Sequence, residues 1–144
     1  MAYCTENDIL LQIDESQLDN LVAGDNANLL TDVINYVSIL MDGMLSKQYA
    51  VPILNCSLIT DICVKLVICR LFERRGISGV GQADSINGTF CKNANDIFMD
   101  IINGKIILYT DSGSVIDVKT ESYVIEIETD GQVFTTDILD NFVN

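Results

Sequence analysis

From Leu58 to Cys69 the chain is apolar on nearly every side of a helical projection. A helix with no wet face cannot lie on a surface, so neighbours must cover it all round. This segment therefore has to be the central helix of a bundle or lie at a subunit contact. A membrane span is excluded, because Asp61, Lys65 and Arg70 break the stretch from Leu58 to Phe72. It falls short of the ~18 uninterrupted apolar residues a span requires.

The rest of the first hundred residues supplies the cover. Thr5-Glu6-Asn7-Asp8 reads as a helix cap followed by acids in the first turn, opening a short helix through Ile9, Leu10 and Ile13. Asp14 can cap a second short piece carrying Leu18, Leu21 and Val22, which Gly24 stops. A long helix is predicted from about Asn28 to Tyr49. Its apolar positions Leu29, Leu30, Val33, Ile34, Val37, Leu40, Met41, Met44 and Leu45 fall within about 160° at 100° per residue. Asp32, Asn35, Ser38, Asp42 and Ser46 take the opposite, wet side. The helix should end before Ala50-Val51-Pro52, since the residue preceding proline is pushed out of the α region.

The apolar helix then starts after a Ser57 cap and runs to about Arg75, with Gly76 as its stop. Arg70, Arg74 and Arg75 near its end complement the negative pole of the helix dipole, and could equally meet an acidic partner. After a flexible Gly76–Gly88 segment, a last helix from about Phe90 to Ile102 ends at Asn103-Gly104.

Beyond Lys105 the period changes from 3.6 to 2. Ile106–Thr110 and Val115–Thr120 flank a plausible hairpin loop, and Tyr123–Thr129 and Gln132–Thr136 flank Asp130-Gly131, the strongest short hairpin signal. In that register Val124, Glu126, Glu128 and Val133 share a face. A lone hairpin is marginal in water, so this one needs a surface to dock on. The prediction is a mainly α fold, a bundle of about four helices over residues 1–104, with a C-terminal antiparallel β-hairpin region over 105–144.

Charge narrows the function. The 144 residues carry 8 bases against 21 acids, a net −13, and no histidine. Without imidazole, the commonest acid–base shuttle and Ser-His-Asp chemistry are excluded. A bare electrostatic nucleic-acid binder is disfavoured, because a polyanion gains nothing from counterion release. The first 46 residues hold eight acids and no base, whereas residues 47–104 are nearly neutral. Such asymmetry suggests surfaces with separate tasks. The five cysteines lack CxxC spacing and read as small buried hydrophobes kept reduced.

Other constellations fail on chemistry. Gly76–Gly81 follows a helix rather than a strand and lacks the Lys-Ser/Thr pair of a phosphate loop. Asp25-Asn26-Ala27-Asn28 lacks the closing Glu of a calcium loop. Glu126 and Glu128 read as charges that protect an edge strand from aggregation. No catalytic residue, cofactor site or metal site is predicted, and the chain is not expected to be an enzyme.

Four segments, taken in order, resemble a known family. The opening Met1–Ile9, the helix-to-proline run Met41–Ile53, the apolar Ile62–Phe72 and the closing Ala94–Lys105 are similar to the Mu-like prophage family of small neck proteins, the head–tail connectors or head-completion proteins of tailed phages. The likeness covers roughly residues 1–108. It implies a structural virion protein in the neck, assembled in the host cytoplasm. Copies would form a cyclic ring, twelve-fold like the portal, joined to the portal protein on one side and to a tail-proximal neck or tail terminator protein on the other. DNA would pass through without specific binding, repelled by an acidic lumen.

Within that frame Asp32, Asn35 and Asp42 are assigned to the lumen. Arg70, Arg74 and Arg75 go to a subunit or portal contact, and the hairpin with Val124, Glu126, Glu128 and Val133 docks on a neighbour. The rival reading is an acidic DNA-mimic inhibitor of a DNA-binding protein.

Overall fold

The computed structural model describes residues 1–24, 26–76 and 86–119, with only the backbone at 86–88. Five helices occupy them: α1 (Glu6–Leu10), α2 (Glu15–Val22), α3 (Leu29–Leu45), α4 (Ser57–Arg74) and α5 (Ile86–Ile102). The fold is mainly helical as predicted, the bundle of about four helices having five among the described residues.

The apolar helix sits at the hub. Helices α1, α2, α3 and α5 all pack on α4. Ile62, Cys63, Val64, Val67, Ile68 and Leu71 of α4 are all buried, and they cover about two thirds of its circumference, with the half-buried Asp61 and Lys65 in the remainder. Each buried aliphatic side chain contributes on the order of 1.5–3 kcal/mol. Met41 and Leu45 of α3, Ile101 of α5, Ile9 of α1 and Leu108 complete the core. No described helix is long and apolar enough to cross a membrane.

The short-range signals act as chemistry demands. Thr5 and Asp8 close a reciprocal capping box at the start of α1, with the Thr5 N–H donating to Asp8 Oδ2 at 2.7 Å. Gly24, Gly76 and Gly104 leave α2, α4 and α5 with φ between 70° and 76°, the left-handed conformation that favours glycine.

Four expectations are corrected. First, α4 is not capped by Ser57. The cap position is Cys56, whose thiol makes no cap bond. Asp111 reaches across instead, accepting from the Ser57 N–H at 2.8 Å and from its hydroxyl. These bonds, the hydroxyl's first, hold the Asp111 carboxyl below its usual value of 3.8. A carboxylate stabilised this way contributes above the unfolded value and loses that contribution as pH falls through the folded one. Asp111→Asn should therefore lower the urea midpoint of unfolding at neutral pH, and the gap to wild type should close below pH 3.8. A gap that widens on acidification would refute the assignment.

Second, the cysteines are not all reduced. Cys69 of α4 and Cys91 of α5 form a disulfide, while Cys4, Cys56 and Cys63 are free and buried. Third, the predicted strands 106–110 and 115–120 form no sheet among the described residues. Tyr109 and Val115 make one antiparallel bridge around a turn with Gly113 at φ 86°. Val118 then leaves its hairpin partner to bridge Tyr49, beyond the end of α3, and the Lys119 N–H donates to the Gln48 carbonyl. The second hairpin, Tyr123–Thr136, lies outside the described residues.

Fourth, α5 starts at Ile86, four residues before the expected Phe90, whereas α3 stops at Leu45 rather than Tyr49. A turn bonded from the Gln48 and Tyr49 N–H groups to the Leu45 carbonyl finishes it.

Candidate functional site

Helix α3 is less one-sided than its sequence suggests. Ser38, expected on the wet side, is buried and accepts a 3.1 Å bond from the Tyr3 N–H. Asp42 is half-buried and accepts from the Tyr3 hydroxyl. That hydroxyl also accepts from the Ile53 N–H at 3.1 Å, so one phenol ties the N-terminus to α3 and to the loop before α4. Burial, then the bond to Asp42, pushes the Tyr3 phenol up to about 12. Next to it Cys4 lies 3.2 Å from Cys63, and that hydrogen bond together with burial keeps the Cys4 thiol protonated.

Of the three residues assigned to a lumen, Asp32 and Asn35 are exposed on α3. Asp42 is engaged inside the molecule. Of the three arginines, Arg75 donates through Nε to the Leu21 carbonyl at 2.9 Å and through a terminal nitrogen to Ala23. It thereby caps the C-terminal carbonyls of α2, a complement to the dipole on another helix from its own. Arg70 pairs with Glu73 at 3.1 Å and lies 5.3 Å from the centre of the Tyr36 ring. Arg74 is exposed. The structure thus does not bring the three into one patch. Val124, Glu126, Glu128 and Val133 lie outside the described residues.

What sequence reasoning missed is an apolar cleft. Tyr36 and Leu40 of α3 are 52% and 46% exposed, although Leu40 belongs to the predicted core stripe. Met99 of α5 is 43% exposed. Between them, over Leu66 and Cys69 of α4, lies a groove of about 230 Å³. This is larger than the ~150 Å³ apolar cavity known to take up benzene. The Cys69–Cys91 disulfide fixes α5 to α4 along its floor, and Arg70 with Glu73 forms its polar rim. The only signal available was the excess of large apolar residues on α3 over what one core stripe can bury. Among the described residues no group of three or more His, Cys, Asp or Glu could hold a metal ion.

Residues 3–125 match the family model described as "Bacteriophage Mu, Gp36". No curated protein matches the chain.

Proposed function

The chain belongs to the bacteriophage Mu Gp36 family, and on that footing we propose that it is a structural virion protein with no active site, copies of which form a ring between portal and tail. The observation that carries this reading is the family match over residues 3–125, joined to a surface with an open apolar groove. Grooves of this kind are characteristic of interaction sites. The ring is a head–tail connector in the neck of the particle, with the portal protein on one side and a tail-proximal neck or terminator protein on the other.

The exposed Asp32 and Asn35 of α3 face the DNA path. A carboxylate-lined wall has no cation to exchange for the counterions of the phosphates, so DNA slides past without sticking. Deleting the gene from the phage should leave DNA-filled heads and free tails that do not join, and supplying the full chain in trans should restore tailed particles. Tailed, infectious particles from the deletion phage would end this reading. An acidic inhibitor would instead be absent from purified particles and would co-purify with a basic DNA-binding protein.

A further inference from the structure

The hub helix carries two dissimilar surfaces on opposite sides. On α4 the apolar groove is lined by Leu66, Cys69, Arg70 and Glu73. A second cleft is lined by Ser57, Thr60, Asp61 and Val64. Each set follows the i, i+3, i+4, i+7 spacing of one helix face. The two sets are offset by nine residues, which at 3.6 residues per turn is two and a half turns, or about 13 Å of rise. The clefts therefore look in opposite directions, one near each end of the helix.

Their chemistry is complementary. The second cleft is bordered by Asp8, Asp61 and Asp111, with Leu11 of the turn after α1 standing 85% exposed beside them. Among the described residues Lys65 balances one of these acids, at 2.6 Å from Asp61. The groove offers a different surface: uncovered apolar side chains from Tyr36, Leu40 and Met99, with the Arg70–Glu73 pair on its rim. Lys92 of α5 stands seven residues before Met99 and three before Asn95, on the same helix face. In a chain with only 8 bases, one, Arg70, lines this groove, and Lys92 stands on the α5 face that flanks it.

We infer that the occupant of the α3–α5 groove is the acidic face of a second copy of this chain, with Leu11 of one subunit seated between Leu40 and Met99 of the next. The inference rests on the ring reading and names the two surfaces that build the ring. Such a contact is heterologous, since different patches meet, and it repeats until the ring closes. Leu11 supplies the apolar anchor. Asp8 and Asp61 approach Arg70 and Lys92 and set the register, the usual part of rim charges.

Cysteine cross-linking of the purified full chain tests this directly. Leu11 and Leu40 are exposed, so substitution leaves the core untouched. Under mild copper-phenanthroline oxidation, a variant carrying both Leu11→Cys and Leu40→Cys should give a ladder of covalent dimers, trimers and larger species. Each single variant alone should give none, and a mixture of the two singles should stop at dimers. Met99→Asp should lower the native mass to that of a monomer while leaving far-ultraviolet circular dichroism unchanged.

Dimers from Leu40→Cys alone would mean like patches meet, and would overturn the inference. No ladder from a double variant whose native mass is that of a ring would overturn the pairing of faces but spare the ring. No ladder and a monomeric mass for the wild-type chain would remove both.

Discussion

Replacing Cys91 with serine should lower the free energy of unfolding by about 3 kcal/mol, close to what removal of a cross-link spanning 22 residues predicts. The bond joins α4, which every other helix contacts, to α5, which otherwise holds on through Ala94, Phe98 and Ile101. Freed from it, the unfolded chain regains the loop entropy the bond removes, and the native state is disfavoured by that amount. For a domain of this size the loss corresponds to roughly 10 °C in Tm. Cys91→Ser is the cleaner variant, because Cys69 is buried and a serine there would add the cost of burying a hydroxyl.

Two controls separate the bond from the side chain. A reductant should shift wild type by the same amount and leave Cys91→Ser unmoved. Wild type insensitive to reductant would refute the cross-link. A disulfide also suits a particle that leaves its host, since such bonds persist at virion surfaces but are rare in a reducing cytosol.

The second large effect is expected at the N-terminus. Tyr3→Phe keeps the buried ring and removes only the hydroxyl, which donates to Asp42 and accepts from the Ile53 N–H. It leaves the Ile53 N–H without its partner in a buried setting, and a buried donor left unpaired costs about 1–3 kcal/mol. The pH dependence provides an independent check. A phenol held at about 12 when folded and near its ordinary value of 10.0 when unfolded contributes fully below pH 10. The contribution is lost as pH rises through the folded value, because the unfolded chain gives up its proton first. Wild type should thus weaken relative to Tyr3→Phe between pH 10 and 12. Parallel stability profiles for the two proteins across that window would contradict the buried phenol.

What the sequence made legible was local. Thr5 and Asp8 announce a cap because both partners lie within three residues, and Gly24, Gly76 and Gly104 announce helix ends because a positive φ is a property of one residue. The hub position of α4 follows from its having no polar face. Apart from the displaced ends of α3 and α5, the failures are long-range. Ser38 and Asp42 read as wet because polarity was their only visible property; Tyr3, which bonds to both, comes from 35 and 39 residues away. The partner of Cys69 stands 22 residues on, without any spacing signature. Asp111 caps α4 from 54 residues beyond Ser57. A hairpin signal at 106–120 was correct about the turn and wrong about the ladder, because Tyr49 competes for Val118.

The candidate site shows the same division. Asp32 and Asn35 were recognisable as exposed from helical phase alone. The groove needed two helices placed side by side over a third, and no window of residues contains that relation. Leu40 illustrates the limit: its phase puts it at the edge of the apolar stripe, where only the actual distance between α3 and α5 decides whether it is covered.

Electron cryo-microscopy of the neck in purified virions decides most directly. The account predicts, between portal and tail, a closed ring of copies of this helical fold, with the apolar groove of each filled by its neighbour and Asp32 lining the channel. A neck in which this chain is absent, or is present as isolated copies that do not touch one another, would contradict it.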